Sequence, residues 1–356
     1  MISFYPGPSK VYDQIPDYVR DAHAAGILSI NHRSPEFMSI FGRTVELVKE
    51  KLQVPEAYSV LFASSATECW EIICQSLVQK HSFHIYNGAF GEKWHRYATG
   101  LVPQADASAF DPETLPEIAN LAIPDSADMV CITHNETSNG TALPSEWIQS
   151  LRQHSTDPLI AVDATSSMAG ISLPWSAGDV WYASVQKCFG LPAGMAVLIL
   201  SPRAVRRAED LHEKQHYNSL LSMIEQGRRR QTTHTPNVLG VYLLMRTLEH
   251  RQIIGETEKL LKERYGKLLR ALLAMDHSRP LISNEVTRSI TVLPFSSQPS
   301  VINQLREKAK EQEITLGNGY GELKSTTLRI ANFPAISSDE INQLIAFLEH
   351  FTPTLS

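Results

Sequence analysis

The sequence predicts an α/β fold: a mostly parallel sheet covered by helices on both faces, followed by a smaller C-terminal α+β domain. Three observations predict it. Short apolar strand patterns alternate with helical ones over the first two thirds of the chain. A long amphipathic helix, 257–275, then breaks the alternation. Beyond it, 289–293, 301–312 and 327–330 give a β-α-β pattern, closed by a helix over 338–351. A length of 356 residues suits two unequal domains, so we expect an N-terminal arm over 1–14, a large domain over 15–250 and a small domain over 251–356.

The elements follow in order. The arm, to about Tyr12, is rich in Pro and Gly and reads as extended. Ser34 then serves as a helix N-cap with Pro35 at the first helical position, and Phe37, Ile40, Phe41, Val45, Val48 and Leu52 follow at helical spacing. A buried strand over 58–63 (YSVLFA) leads through Ser64-Ser65-Ala66-Thr67-Glu68 into an apolar helix ending near Val78. A short strand over 83–86, a Gly-rich turn and a helix from about Glu92 come next. The strands 128–133, 159–163 (LIAVD), 179–184 and 195–200 complete the alternation, with a helix over 144–154 between the first two.

Composition narrows the function. With 32 basic and 38 acidic residues the net charge is −6, which argues against general nucleic-acid binding, because that needs a basic face for phosphate neutralisation. The four cysteines, Cys69, Cys74, Cys131 and Cys188, form no CxxC pair, so a reduced, cytoplasmic protein is expected. The start, MISFYPGPSK, lacks a basic stretch before an apolar core, and the longest apolar run, MAVLIL, is strand-sized, so neither a signal peptide nor a membrane span is expected. The histidines are scattered and no HExxH, P-loop or zinc pattern occurs, so no metal is expected. Gly317-x-Gly319-x-Gly321 leads into a strand rather than a helix and is no dinucleotide fingerprint.

Three local features carry chemistry, each with a plain alternative. Ser65-x-x-Glu68 follows a strand and opens a helix. It is either a capping box alone or a helix start whose open N–H groups take a phosphate. Asp163 ends the LIAVD strand, where ligands bind in open α/β sheets, or it caps the next turn. Lys187 lies in SVQKCFG between apolar segments: a desolvated amine fit for Schiff-base chemistry, or a surface loop lysine. Their order suits pyridoxal phosphate, which needs a phosphate anchor, an acid at its ring nitrogen and a lysine for its aldehyde.

The chain also resembles the class V, fold-type I pyridoxal-phosphate aminotransferases, over essentially its whole length. The resemblance is carried by YPGPS, INHRSPEF, SSATECWE, NGAFGEKW, THNETSNG, AVDATSS, SVQKCFG, THTPN and LRIANFP in the family order. It implies a seven-stranded sheet in the large domain and a homodimer with a shared active site. It implies that Lys187 holds the cofactor as a Schiff base and moves the substrate proton in a ping-pong reaction, while Asp163 bonds the ring nitrogen. It places Phe90 on the ring face and Thr137 at the phenolic oxygen. It puts Gln186 and the Ala66–Thr67 backbone on the phosphate, with His234 and Thr235 reaching it from the neighbouring subunit. Arg329 grips the substrate α-carboxylate, and a planar guanidinium suits that clamp.

His32 and Arg33 match the pair that the phosphoserine branch of the family uses for a distal phosphate or carboxylate. They point to O-phospho-L-serine and 2-oxoglutarate as substrates, and so to serine biosynthesis. One departure stands against this. Many enzymes of that branch carry an arginine in the loop that here reads SSATE. Arg228, Arg229 and Arg230 either compensate or form a solvated run. The alternative is another class V aminotransferase, using alanine, serine or aspartate with glyoxylate or another 2-oxo acid. A desulfurase is disfavoured because no cysteine follows Cys188. Retention of Lys187 and Asp163 disfavours a non-catalytic binding module.

Overall fold

Ser34 caps the helix Pro35–Leu52 as its sequence dictates: its hydroxyl accepts from the Phe37 N–H at 3.2 Å, and Phe37, Ile40, Phe41, Leu47, Val48 and Leu52 are buried along one face. The same logic repeats through the computed structural model, which describes residues 2–353. Strand and helix alternate, and the strands assemble into a seven-stranded sheet. Its order is Ser59–Ala63, Ala196–Leu200, Val180–Ser184, Leu159–Asp163, Met129–Thr133, His81–Tyr86, Gln104–Ala109. Only Ala196–Leu200 runs against its neighbours.

Both faces of this sheet are covered. Val197 and Ile199 enter one apolar core, and Leu198 and Leu200 the other. This is the period-two alternation of a strand buried on both sides, and it explains why these segments read as unbroken apolar runs.

A second sheet has the order Ile2–Phe4, Ile314–Asn318, Thr327–Ala331, Val292–Ser296, Arg279–Pro280. Its first strand comes from the N-terminal arm and pairs in parallel with Ile314–Asn318. The arm is therefore more than an extended lead-in. It joins the C-terminal sheet and then crosses to the Lys187 turn, where Ser9 N–H donates to the Gln186 carbonyl and Tyr12 N–H to the Gly190 carbonyl, both at 3.0 Å. One apolar core runs from the large sheet (Phe62, Trp181) into the C-terminal part (Phe295, Leu305, Ile330).

Two sequence expectations shift. The strand expected over 289–293 is Val292–Ser296. The Ser289 hydroxyl accepts from the N–H groups of Thr291 and Val292 where that strand begins. Pro294 is accommodated inside the strand, opposite Arg329. The helix expected from about Glu92 starts earlier, as Ala89–Ala98 with Gly88 at its N-cap, so Phe90 lies in a first helical turn.

Candidate active site

Lys187 follows the strand Val180–Ser184 in a tight turn closed by a bond from Gly190 N–H to the Lys187 carbonyl, with Gly190 in the left-handed region at φ 68°. The turn folds the side chain inward. Lys187 is buried, and its Nζ donates to the Thr137 hydroxyl at 2.9 Å and the Ser166 hydroxyl at 3.2 Å. Burial pulls the amine down to about 8, against the opposing pull of the Asp163 and Glu136 carboxylates. The arm closes over it: a Cβ on Gly7 would fall 3.0 Å from Lys187 Cε. The surface-loop alternative for Lys187 is thus excluded.

Asp163 ends its strand beside this turn, and its Oδ1 accepts from the Thr165 N–H at 2.9 Å. The turn-capping alternative is therefore real, and it does not exhaust the residue. Asp163 is buried; burial raises its carboxyl, while hydrogen bonding at Thr165 and the Lys187 charge pull the other way. Phe90 presents its ring to Lys187 Nζ, 5.4 Å from the centroid. Arg329 is buried in the strand Thr327–Ala331. Its Nε donates to the Asn318 carbonyl at 2.7 Å and its Nη1 to the Thr137 carbonyl at 2.8 Å. Its guanidinium lies 5.7 Å from the Tyr320 ring centroid, and its Nη2 carries no bond among the described residues.

A cavity of roughly 310 Å³ opens among Lys187, Phe90, Thr137, Arg329, Tyr320 and Lys324. That volume suits a small cofactor or substrate. A larger groove, about 720 Å³, runs along the C-terminal sheet past Arg279, Ser296 and Thr326. Its charged residues, Asp276 and Arg279, are exposed, so the buried chemistry belongs to the smaller cavity.

The helix Ala66–Leu77 begins with Ser65 accepting from the Glu68 N–H at 3.0 Å. The reciprocal half of the expected capping box is absent. The Glu68 carboxylate bonds the Ser64 N–H instead, and also takes the Tyr217 hydroxyl. Ala66 N–H makes only a long bond to the Ser184 hydroxyl, at 3.4 Å, and Thr67 N–H has no partner among the described residues. One open donor and one weakly bonded donor therefore stand at a helix N-terminus, which is what an incoming phosphate needs. The Gln186 side chain is half-buried next to Lys187.

Other expected residues lie apart. His32, Arg33, His234 and Thr235 do not line the Lys187 cavity of their own chain. Arg33 is exposed and donates to the Gln231 side chain at 2.9 Å; burial first, then the neighbouring Arg33 and His234, lower the proton affinity of the His32 imidazole. Thr235 is exposed, and the His234 ring packs edge-on to Tyr217. These residues form one surface cluster. Arg228 pairs with Glu209 at 2.7 Å and Arg230 packs on Gly42, so neither enters the cavity. Sequence reasoning missed Ser166, Tyr320 and Lys324. Ser166 sits in the AVDATSS motif, so a signal existed; Tyr320 and Lys324 lie in a loop whose approach only the fold determines.

Among the described residues no helix is long and apolar enough to cross a membrane, and no cluster of potential metal ligands occurs. The donor set fits pyridoxal phosphate. A buried amine of lowered proton affinity, a buried carboxyl, an aromatic face and the Ala66 and Thr67 N–H groups at a helix start are the partners its aldehyde, ring nitrogen, ring and phosphate require.

Comparison with known proteins agrees. The model of the family described as Aminotransferase class-V matches residues 6–321. A phosphoserine aminotransferase from Corynebacterium glutamicum is 26% identical, covering 96% of this chain and 92% of its own length. The crystal structure of a phosphoserine aminotransferase from Cytophaga hutchinsonii superposes with a TM-score of 0.93 at 33% identity, covering 98% of each chain. An aspartate aminotransferase structure from Thermus thermophilus shares the fold, with a TM-score of 0.86 at 18% identity over 98% of each chain. The chain belongs to the class-V aminotransferases, which work with pyridoxal phosphate.

Proposed function

We propose that this enzyme transaminates amino acids that carry a second anionic group, with O-phospho-L-serine as donor and 2-oxoglutarate as acceptor, and so serves serine biosynthesis. The observation that carries the reading is the pairing of two cationic sets. Arg329 is fixed beside Lys187 with one guanidinium nitrogen open, and His32 and Arg33 form a separate surface cluster with His234 and Thr235. The phosphoserine aminotransferases from Corynebacterium and Cytophaga support the same reading.

Arg329 binds the α-carboxylate, because its plane is set by two carbonyls before the substrate arrives. Lys187 Nζ takes the proton from the substrate Cα and returns one to the product; a proton affinity near 8 suits an amine for both roles at neutral pH. Bound pyridoxal phosphate supplies the electron sink for that proton transfer. Asp163 would keep a proton on the ring nitrogen, Phe90 would cover one ring face, and Thr137 would donate at the phenolic oxygen. Ala66, Thr67 and Gln186 hold the phosphate.

A second copy of the chain supplies His234 and Thr235 to the phosphate and His32 and Arg33 to the substrate's distal anion, so the working unit is a homodimer. In this division residues 15–250 hold the cofactor and residues 251–356 bring Arg329. Lys324, which lines the cavity with no bonded partner among the described residues, adds the cation that the SSATE loop lacks.

The other reading, a donor without a distal anion, is favoured by one observation: the segment 64–68 has no arginine, and the Glu68 carboxylate folds back onto the Ser64 N–H. Adding amino acids one at a time to the cofactor-loaded protein, and following loss of the Lys187-bound cofactor absorbance, decides between them. O-phospho-L-serine and L-glutamate should bleach the band fastest; alanine or serine outrunning both would overturn the proposal.

A further inference from the structure

Glu136 is a fully buried carboxylate to which no step above gives a role. It lies in the two-residue strand Asn135–Glu136, directly before Thr137. Both of its oxygens are filled. Oε1 accepts from the Ser138 N–H at 2.9 Å and the Ser138 hydroxyl at 2.7 Å. Oε2 accepts from the N–H groups of Phe90 and Gly91, at 3.1 and 3.2 Å, in the first turn of the helix Ala89–Ala98. Three of these four donors are backbone N–H groups, which cannot reverse their roles.

Backbone N–H donors on both oxygens suit a carboxylate at a helix N-terminus better than a protonated acid, for which only the Ser138 hydroxyl could turn to accept. Burial, with the nearby Asp163 adding to it, raises the Glu136 carboxyl; the bonds from Ser138 and Gly91 restrain that rise. Gly88 leaves the space: a Cβ there would fall 2.4 Å from Glu136 Cγ.

The carboxylate joins groups that converge on Lys187. Through Oε2 it fixes the turn that carries the Phe90 ring. Through the chain it fixes Thr137, whose hydroxyl meets Lys187 and whose carbonyl meets Arg329. We propose that Glu136 is a positioning residue: it locks the Phe90 face, the Thr137 hydroxyl and the Arg329 guanidinium into one arrangement around Lys187 Nζ, and its charge offsets that of Arg329 there. This inference rests on the roles given to Lys187 and Arg329 above. The charged and titratable groups that face Lys187 are Asp163, Glu136 and Arg329, with the Cys188 thiol on its own turn. Without Glu136, Asp163 alone opposes Arg329, and the lysine nitrogen gives up its proton at lower pH.

The test uses the full-length protein loaded with pyridoxal phosphate. Glu136→Gln keeps the size, removes the charge and turns an amide donor toward N–H donors. It should lower kcat/KM about 10- to 100-fold, with KM rising for both amino and 2-oxo acids. The pH midpoint of the bound cofactor's absorbance should fall by about half a unit or more. Glu136→Asp keeps the charge on a shorter arm; its midpoint should stay and its kcat/KM should fall. A Glu136→Gln protein that melts earlier yet keeps the parent's midpoint, kcat and KM has lost only a structural bond, and overturns the proposal.

If Glu136→Gln does not fold, Glu136→Asp and Ser138→Ala decide, and parent-like KM values in both overturn it. Lys187→Ala is the control for the underlying reading. If the Lys187-linked band survives there, the assignment of Lys187 fails; if it vanishes while Glu136→Gln is silent, only this inference fails.

Discussion

Arg329 and Arg33 carry the same guanidinium, yet the first is buried and held by two backbone carbonyls, and the second is exposed and held by one side-chain amide. The same contrast separates Lys187, bonded to two hydroxyls in the interior, from the His32–Arg33–His234 surface. The buried set has met its ordering cost on folding, so it can act on a substrate without rearrangement. The exposed set is solvated and screened, and gains strength only when a ligand or a second protein surface excludes water. In the proposed reading, the Lys187 and Arg329 chemistry is preformed within one chain, while substrate selection falls to a surface that the same chain leaves open.

Three measurements sharpen or break this comparison. The largest effect belongs to the interior. Lys187→Ala should remove the covalent cofactor band and lower turnover by about 10²- to 10⁴-fold or more, as loss of a positioned acid–base group does. The surface should respond less and more selectively. Arg33→Glu should raise KM for O-phospho-L-serine about tenfold, ~1.4 kcal/mol, and leave KM for alanine nearly unchanged. An equal rise for both would mean that the surface cluster does not select.

The smallest effect is a pH dependence. An exposed lysine titrates near ~10.4, whereas burial brings Lys187 to about 8. Only the unprotonated amine attacks an aldehyde, so the rate of cofactor uptake by cofactor-free protein should rise through about pH 8 and then level. A rate still climbing steeply toward pH 10 would place Lys187 in solvent.

Much of the large sheet is legible in the chain because its strands are buried on both faces. Leu159–Asp163 and Ala196–Leu200 have no polar interruption and are bounded by turn residues. The edge strand Gln104–Ala109 escaped that reading. It is QADASA, largely exposed, and defined only by pairing with His81–Tyr86. The helices Ile15–Ala24 and Val238–His250 were also unread: the first opens without a side-chain cap, and the second is apolar on most sides. In the site, Lys187 and Asp163 stood out from their local surroundings, one between apolar segments and one at a strand end, whereas Thr137 was marked only by the family resemblance. Lys324 and Tyr320 did not, because nothing near them in sequence marks their approach to Lys187.

The sequence by itself determined the alternation of strands and helices, the caps at Ser34 and Ser65, and which titratable and cationic side chains the chain offers, since these follow from local periodicity and side-chain type. Tertiary structure decided what those residues meet. The arm's strand in the C-terminal sheet brings Gly7 onto Lys187, and a contact across 192 residues sets Arg329 on the Thr137 carbonyl. The physical reason is range. Hydrogen-bonded turns and apolar periods act over a few residues, whereas the burial that lowers the proton affinity of Lys187 and orders Arg329 exists only once distant segments have closed over them.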